Sequence, residues 1–208
     1  MSLRGGVTLL APVILLTASA GASLRAQVRP DALQMYREGR YSDAIATTLA
    51  ELEEDPRNMD AYTVLGWSLL AVDRNEEAVA YGLRALQVAR FDHRILHVMG
   101  EAYFRLGEDL EALRLYQDYL SVSPQGNLVP QVYRNLGEIL IRLGEYNRAD
   151  IALSTAVHHN GANAEWWTRL GFAREQAGEL GPAREAYERA LELNAGNTEA
   201  QQGLARVE

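Results

Sequence analysis

Two histidines four residues apart, His93 and His97, are the first residues in this chain whose types and spacing suggest chemistry. On a helix both imidazoles would face one side, as a pair of metal ligands does. A third ligand is missing, since only Asp92 and Glu101 stand nearby, so no metal site is expected. His158 and His159 sit where a helix would end, and imidazoles there meet the exposed carbonyls favourably. No nucleophile elbow, phosphate loop or dinucleotide fingerprint occurs. The residues therefore predict no enzyme and no cofactor.

Arginine offers a second kind of chemistry. Arg94, Arg105, Arg134, Arg142 and Arg169 recur with Asn135 and His97 and with the aromatics Trp67, Phe104 and Phe172. A guanidinium presents a planar fork of donors that matches a carboxylate. Large aromatics are the side chains that dominate interface energies. Gathered on one surface, this set would hold an acidic peptide segment or a chain terminus. Glu101, Glu138 and Glu175 alternate with the arginines, which leaves a competing reading in which the charges pair between helices.

What must position these residues is visible as a rhythm. Gly66, Gly100, Gly137 and Gly171 are spaced 34, 37 and 34 residues apart. Tyr62, Leu96, Tyr133 and Trp167 keep that spacing, as do Ala78, Ala112, Ala149 and Ala183. Such a period marks a solenoid of helix pairs, each burying its apolar face on the next. Glycine inside a helix costs about 1 kcal/mol relative to alanine, so four in register require close approach. The alanine twelve residues later, on the second helix, is the expected partner. Leu65, Met99, Leu136 and Leu170 complete the core stripe, and Trp166 is read as a core residue. Turns fall at Gly39, Asp73-Arg74-Asn75, Gly107, Gly144 and Gly178, and Pro56 and Pro124 close second helices. The one longer interval places three extra residues within Ser123–Pro130, either a harmless insertion or one that reshapes the groove.

These units resemble tetratricopeptide repeats. His93–Gly126 carries the pattern in Leu96, Met99-Gly100, Tyr103, Gly107, Ala112, Tyr116, Tyr119 and Pro124. Ala164–Asn197 carries it in Trp167, Leu170-Gly171, Gly178, Ala183, Tyr187 and Ala190. Units at 59–92 and 130–163 are copies with weaker second-helix residues, Gly82 and Leu153, and the unit at 25–58 is the most degenerate. The resemblance implies an all-α, right-handed α-solenoid of about five helix-turn-helix repeats, with a C-terminal capping helix at 198–208. It also implies a concave channel lined by the first helices, in which the arginine and aromatic set named above would bind a peptide or partner protein. The family's chaperone-binding members grip a C-terminal carboxylate with lysine and asparagine. Here Asn135 and several arginines stand nearby, but the chain contains no lysine, which departs from that clamp.

Residues 1–26 lie outside the repeats. Arg4, an apolar stretch from Val7 to Thr17 and small residues at Ala18–Ala22 read as a signal peptide, cleaved after Ala20, Ala22 or Ala26. The uncharged run from Gly5 to Leu24 also permits an uncleaved anchor. Cleavage would leave 27–208 as one solenoid, exported to the periplasm or secreted, with no membrane insertion. Cysteine is absent, which fits a solenoid with a continuous core. The whole chain carries a net charge of −8, and removing 1–26 takes away only Arg4 and Arg25, leaving −10. That balance argues against nucleic acid, whose binding requires phosphate neutralisation. The sequence thus predicts a non-catalytic adaptor of the bacterial envelope. A self-associating structural solenoid and a carrier of a small acidic ligand are the alternatives.

Overall fold

The computed structural model describes residues 31–208, a unit distinct from Met1–Pro30. The expected signal segment and the opening of the first repeat lie outside the described residues. Within them the chain forms eleven α-helices and no strand. These are α1 (Ala32–Arg37), α2 (Tyr41–Glu54), α3 (Met59–Ala71), α4 (Asn75–Val88), α5 (His93–Leu106) and α6 (Asp109–Val122). They continue with α7 (Val129–Arg142), α8 (Tyr146–His159), α9 (Ala164–Gln176), α10 (Leu180–Leu193) and α11 (Thr198–Val207). Odd-numbered helices open the repeat units and even-numbered ones close them.

Local chemistry starts each first helix. Asp31, Asn58, Asp92, Asn163 and Asn197 each accept a backbone N–H of the first turn through the side chain, at 2.9–3.2 Å. Such caps satisfy donors that the helix leaves free. The exception is α7, whose N-cap is Leu128 and whose start is set by Pro130. The turns match expectation: Gly107 takes φ 78° and Asp73, in the equivalent turn, takes φ 57°.

The glycine column works differently from the sequence reading. Ala112, Ala149 and Ala183 are fully buried, but the nearest neighbour of Gly100, Gly137 and Gly171 is the large residue sixteen positions on. A Cβ at Gly100 would stand 2.8 Å from the Tyr116 ring, one at Gly171 2.7 Å from Tyr187, and one at Gly137 would collide with Leu153. In the second unit that position holds Gly82 instead of a large residue. The vacated space is filled from the next unit by Met99 against Gly82 and by Val98 against Gly66. Trp166 is buried, as read from the sequence, and its neighbour Trp167 donates its indole N–H to Gly161 O at 2.9 Å.

One apolar core runs from Ile45 to Ala186, with smaller clusters at the α1 end and beneath α11. The inserted loop interrupts the regularity. Helix α6 runs close to α7 along less of its length than α4 does to α5 or α8 to α9.

Helix α11 is fastened by charge as well as by packing. Arg206 donates from Nε and Nη2 to Glu175 at 2.6 and 2.8 Å, and the Tyr187 hydroxyl donates to the same carboxylate at 2.6 Å. The Arg206 hydrogen bonds, aided by Tyr187, hold the Glu175 carboxyl below its ordinary range. A depressed folded-state pKa gives stability that is present above the unfolded value and lost as pH falls through the folded one. Amide exchange across Thr198–Val207 is therefore expected to accelerate relative to α9 as pH drops below the ordinary carboxylate range. Glu175→Gln should remove that pH dependence.

Candidate functional site

The face shared by the odd-numbered helices carries a cavity of about 500 Å³. Tyr36 of α1 and Trp67 of α3 form its aromatic wall, with ring centroids 5.7 Å apart. Leu70 and Ala71 extend that wall, and His97, Glu101 and Arg105 of α5 contribute next to it. The opposite wall is Asn127 and Leu128 of the inserted loop, followed by Gln131 of α7. The insertion thus builds part of the groove directly, and the cavity draws on four repeat units.

Beneath it lies a buried polar network. Asn135 is fully buried. Its Nδ2 donates to Glu101 Oε2 at 2.9 Å and to the Tyr116 hydroxyl oxygen at 2.7 Å. Its Oδ1 accepts from Gln131 Nε2 and Arg134 Nη1, both at 3.0 Å. Both amide protons and both lone-pair positions are then used. The Tyr116 hydroxyl donates to Glu101 Oε2 at 3.1 Å, and Arg105 Nε donates to Glu101 Oε1 at 2.8 Å. Burial, followed by the Glu101 charge, pushes the Tyr116 phenol well up. This network joins α5, α6 and α7.

His97 packs on the rings of Tyr116 and Tyr119 at 6.4 and 5.8 Å, and neither of its nitrogens has a hydrogen-bond partner among the described residues. Burial pushes the imidazole below its ordinary value. His93 stacks beside Tyr119 at 6.5 Å. His97 is half-buried and His93 exposed, both set against tyrosine rings of α6, and the described residues contain no metal-ligating cluster.

Four of the five sequence-predicted arginines are already paired. Arg94 bridges Asp60 and Asp92 at 2.7 Å each. Arg105 reaches Leu70 O at 2.7 Å besides Glu101. Arg142 bonds both oxygens of Asp109 and covers the Phe104 ring at 4.6 Å. Arg169 grips Glu138 bidentately at 2.8 and 3.0 Å, reaches Glu199, and covers Phe172 at 5.0 Å. Most of these contacts span neighbouring repeats, so they act as ties along the stack. Arg134 differs: its guanidinium donates to Asn135 alone, and its Nε is buried without a partner.

The predicted set therefore divides. Trp67, His97 and Arg105 line the cavity, and Arg134 lies one helical turn beyond Gln131. Phe104 and Phe172 are roofed by arginines, and Asn135 is a buried structural residue, inaccessible to a ligand. Gln131 belongs to the inward-facing residues expected of the fourth unit, whereas Tyr36, Asn127 and Leu128 were not expected in the groove. The pattern Asp/Asn at 58, 92, 163 and 197 was also available, and its absence at Leu128 marks where the groove is remodelled.

Known proteins match this arrangement. The family profile described as Tetratricopeptide repeat matches residues 32–94 and 134–198. Tetratricopeptide repeat protein 7B of Homo sapiens is 32% identical over 126 residues, covering 61% of this chain and 15% of that protein. RNA polymerase II-associated protein 3 of Xenopus tropicalis is 34% identical over 110 residues, covering 52% and 16%. The chain thus spans only a small part of the curated relatives it matches. Among solved structures, MamA superposes with a TM-score of 0.71 at 18% identity, covering 82% of this chain and 98% of that one. YrrB superposes with a TM-score of 0.70 at 21% identity, covering 77% and 81%. With the profile falling on both halves of the stack and the helix pairs superposing on solved solenoids, the chain belongs to the tetratricopeptide-repeat family.

Proposed function

We propose that this chain is a non-catalytic adaptor that holds a peptide segment of a partner protein against the odd-helix face. The observation that carries the reading is the cavity between Trp67 and Leu128, an apolar-walled recess edged by the amides of Asn127 and Gln131. Bulky side chains gain most from such a recess, and flanking amides suit a peptide backbone. An acidic residue or terminal carboxylate of the same peptide would meet Arg134, the groove arginine without an acidic partner. The paired arginines argue against a broadly basic channel. YrrB, described as a tetratricopeptide protein with an unusual peptide-binding site, supports a peptide ligand. The signal-like residues 1–26 support export to a bacterial envelope as the setting.

Selection of displayed random peptides on the full chain tests this. Recovered peptides should share a leucine, phenylalanine or tryptophan anchor. Leu128→Arg should weaken them at least tenfold, a loss of about 1.4 kcal/mol. Arg134→Ala should weaken only those that carry an acid. Equal binding by wild type and Leu128→Arg would overturn the groove assignment.

A further inference from the structure

A second surface stands apart from the odd-helix face. Two shallow cavities, of about 400 and 410 Å³, adjoin where α2, the α2–α3 turn and α4 meet, and both include Pro56 and Arg84. Arg57, Tyr62 and Val88 line the first, and Tyr81 and Glu53 line the second. Arg57 and Arg84 are exposed. Arg84 lies over the Tyr81 ring at 5.1 Å, and neither guanidinium has an acidic partner among the described residues. On a chain of net charge −8 that is unusual, because the arginines along the stack are otherwise largely ion-paired.

The repeat does not require this pair. One junction further on, the matching positions hold Phe91 and Asp118, then Leu128 and Thr155, then Ala162 and Arg189. Arg189 there is paired with Glu192. Only the first junction sets two unpaired arginines at the rim of one recess. Each offers a fork of donors that fits a carboxylate, and the apolar floor of Pro56, Tyr62 and Val88 continues into the neighbouring cavity. A free anion would use the forks and leave that floor bare, whereas a chain with alternating acidic and apolar side chains uses both.

We infer that the Arg57–Arg84 notch is a second docking site, for an acidic segment of a partner protein. It places the segment's carboxylates on the Arg57 side, away from Glu53. Because it lies outside the groove, this inference stands independently of the proposed groove function.

Amide shift mapping of the full chain with an eight-residue peptide alternating glutamate and leucine tests the inference, with a glutamine–leucine peptide and inorganic phosphate as comparisons. Shifts should centre on Arg57, Arg84 and Gln87, and binding should weaken in high salt. Arg57→Glu/Arg84→Glu should reduce affinity at least tenfold, and the glutamine peptide should bind at least tenfold more weakly. Arg57→Gln/Arg84→Gln, which adds no acid, should give an intermediate loss, with unchanged melting temperature in both variants. Leu128→Arg should leave this binding untouched. Shifts confined to the Trp67–Leu128 cavity would overturn the inference, as would full affinity in the glutamate variant. Phosphate producing the same shifts with equal affinity would replace it with a simple anion site.

Discussion

Gly100→Leu is expected to lower the melting temperature of the stack by roughly 5–10 °C, corresponding to about 2–3 kcal/mol for a domain of this size. The first added carbon would stand 2.8 Å from the Tyr116 ring. That ring is held in place because its hydroxyl is fixed between Glu101 and Asn135. The clash cannot be relieved without breaking buried hydrogen bonds, and the helix-propensity gain of about 0.8–1 kcal/mol on replacing glycine is outweighed. Gly137→Leu should be milder, since Leu153 there is an aliphatic side chain with no hydrogen bond to keep. Gly181→Leu is the control: a Cβ there meets nothing within 4 Å, so its stability should stay unchanged or rise slightly. Thermal unfolding of the three variants checks the order. A Gly100→Leu protein as stable as wild type would refute the packing assignment.

Asn135→Ala should cost about 2–4 kcal/mol, well above the roughly 1 kcal/mol expected for removing a helix cap such as Asn163. Asn135 is fully buried and satisfies four partners, two of which are the Glu101 carboxylate and the Tyr116 hydroxyl. Its loss takes one donor each from the Glu101 carboxylate and the Tyr116 hydroxyl, which keep only Arg105 and their mutual hydrogen bond, and leaves Gln131 and Arg134 without their acceptor. That desolvation, rather than the lost bonds alone, sets the magnitude. Denaturant titration of Asn135→Ala beside Asn163→Ala provides the test. Equal losses would mean that the network is peripheral to the joint between the third and fourth units.

The stack itself was legible because the glycine and alanine columns repeat without variation in type from Gly66 and Ala78 onward, beside a column of large residues. The partner of the glycine was not, because the column sixteen residues on reads Thr48, Gly82, Tyr116, Leu153 and Tyr187 and hides its common role. Groove arginines were visible as residues, but their partners lie about one repeat away: Asp60 for Arg94, Asp109 for Arg142, Glu138 for Arg169. Which acid an arginine meets depends on the rotation between units, and residue spacing alone does not carry that angle. Asn135 shares its register position with Val64, Val98 and Arg169, so the position looks as much like groove as core. The insertion's length leaves open whether it is harmless or reshapes the groove; that Asn127 and Leu128 wall the cavity depends on the loop's path, which spacing does not carry.

The thin joint between α6 and α7 has a consequence for cooperativity. In a linear array the weakest neighbour coupling decides whether the molecule melts as one body or as two. Here that coupling combines the Asn135 hydrogen bonds with the apolar core that continues across the joint through Tyr119, Val129 and Val132. The cavity takes walls from the blocks on both sides of the joint, Tyr36 and Trp67 before it and Leu128 and Gln131 after it. A ligand seated there spans both blocks, and its binding free energy becomes coupling between them. Occupancy would turn two loosely linked melting units into one, a sharpening of the transition beyond a simple rise in its midpoint.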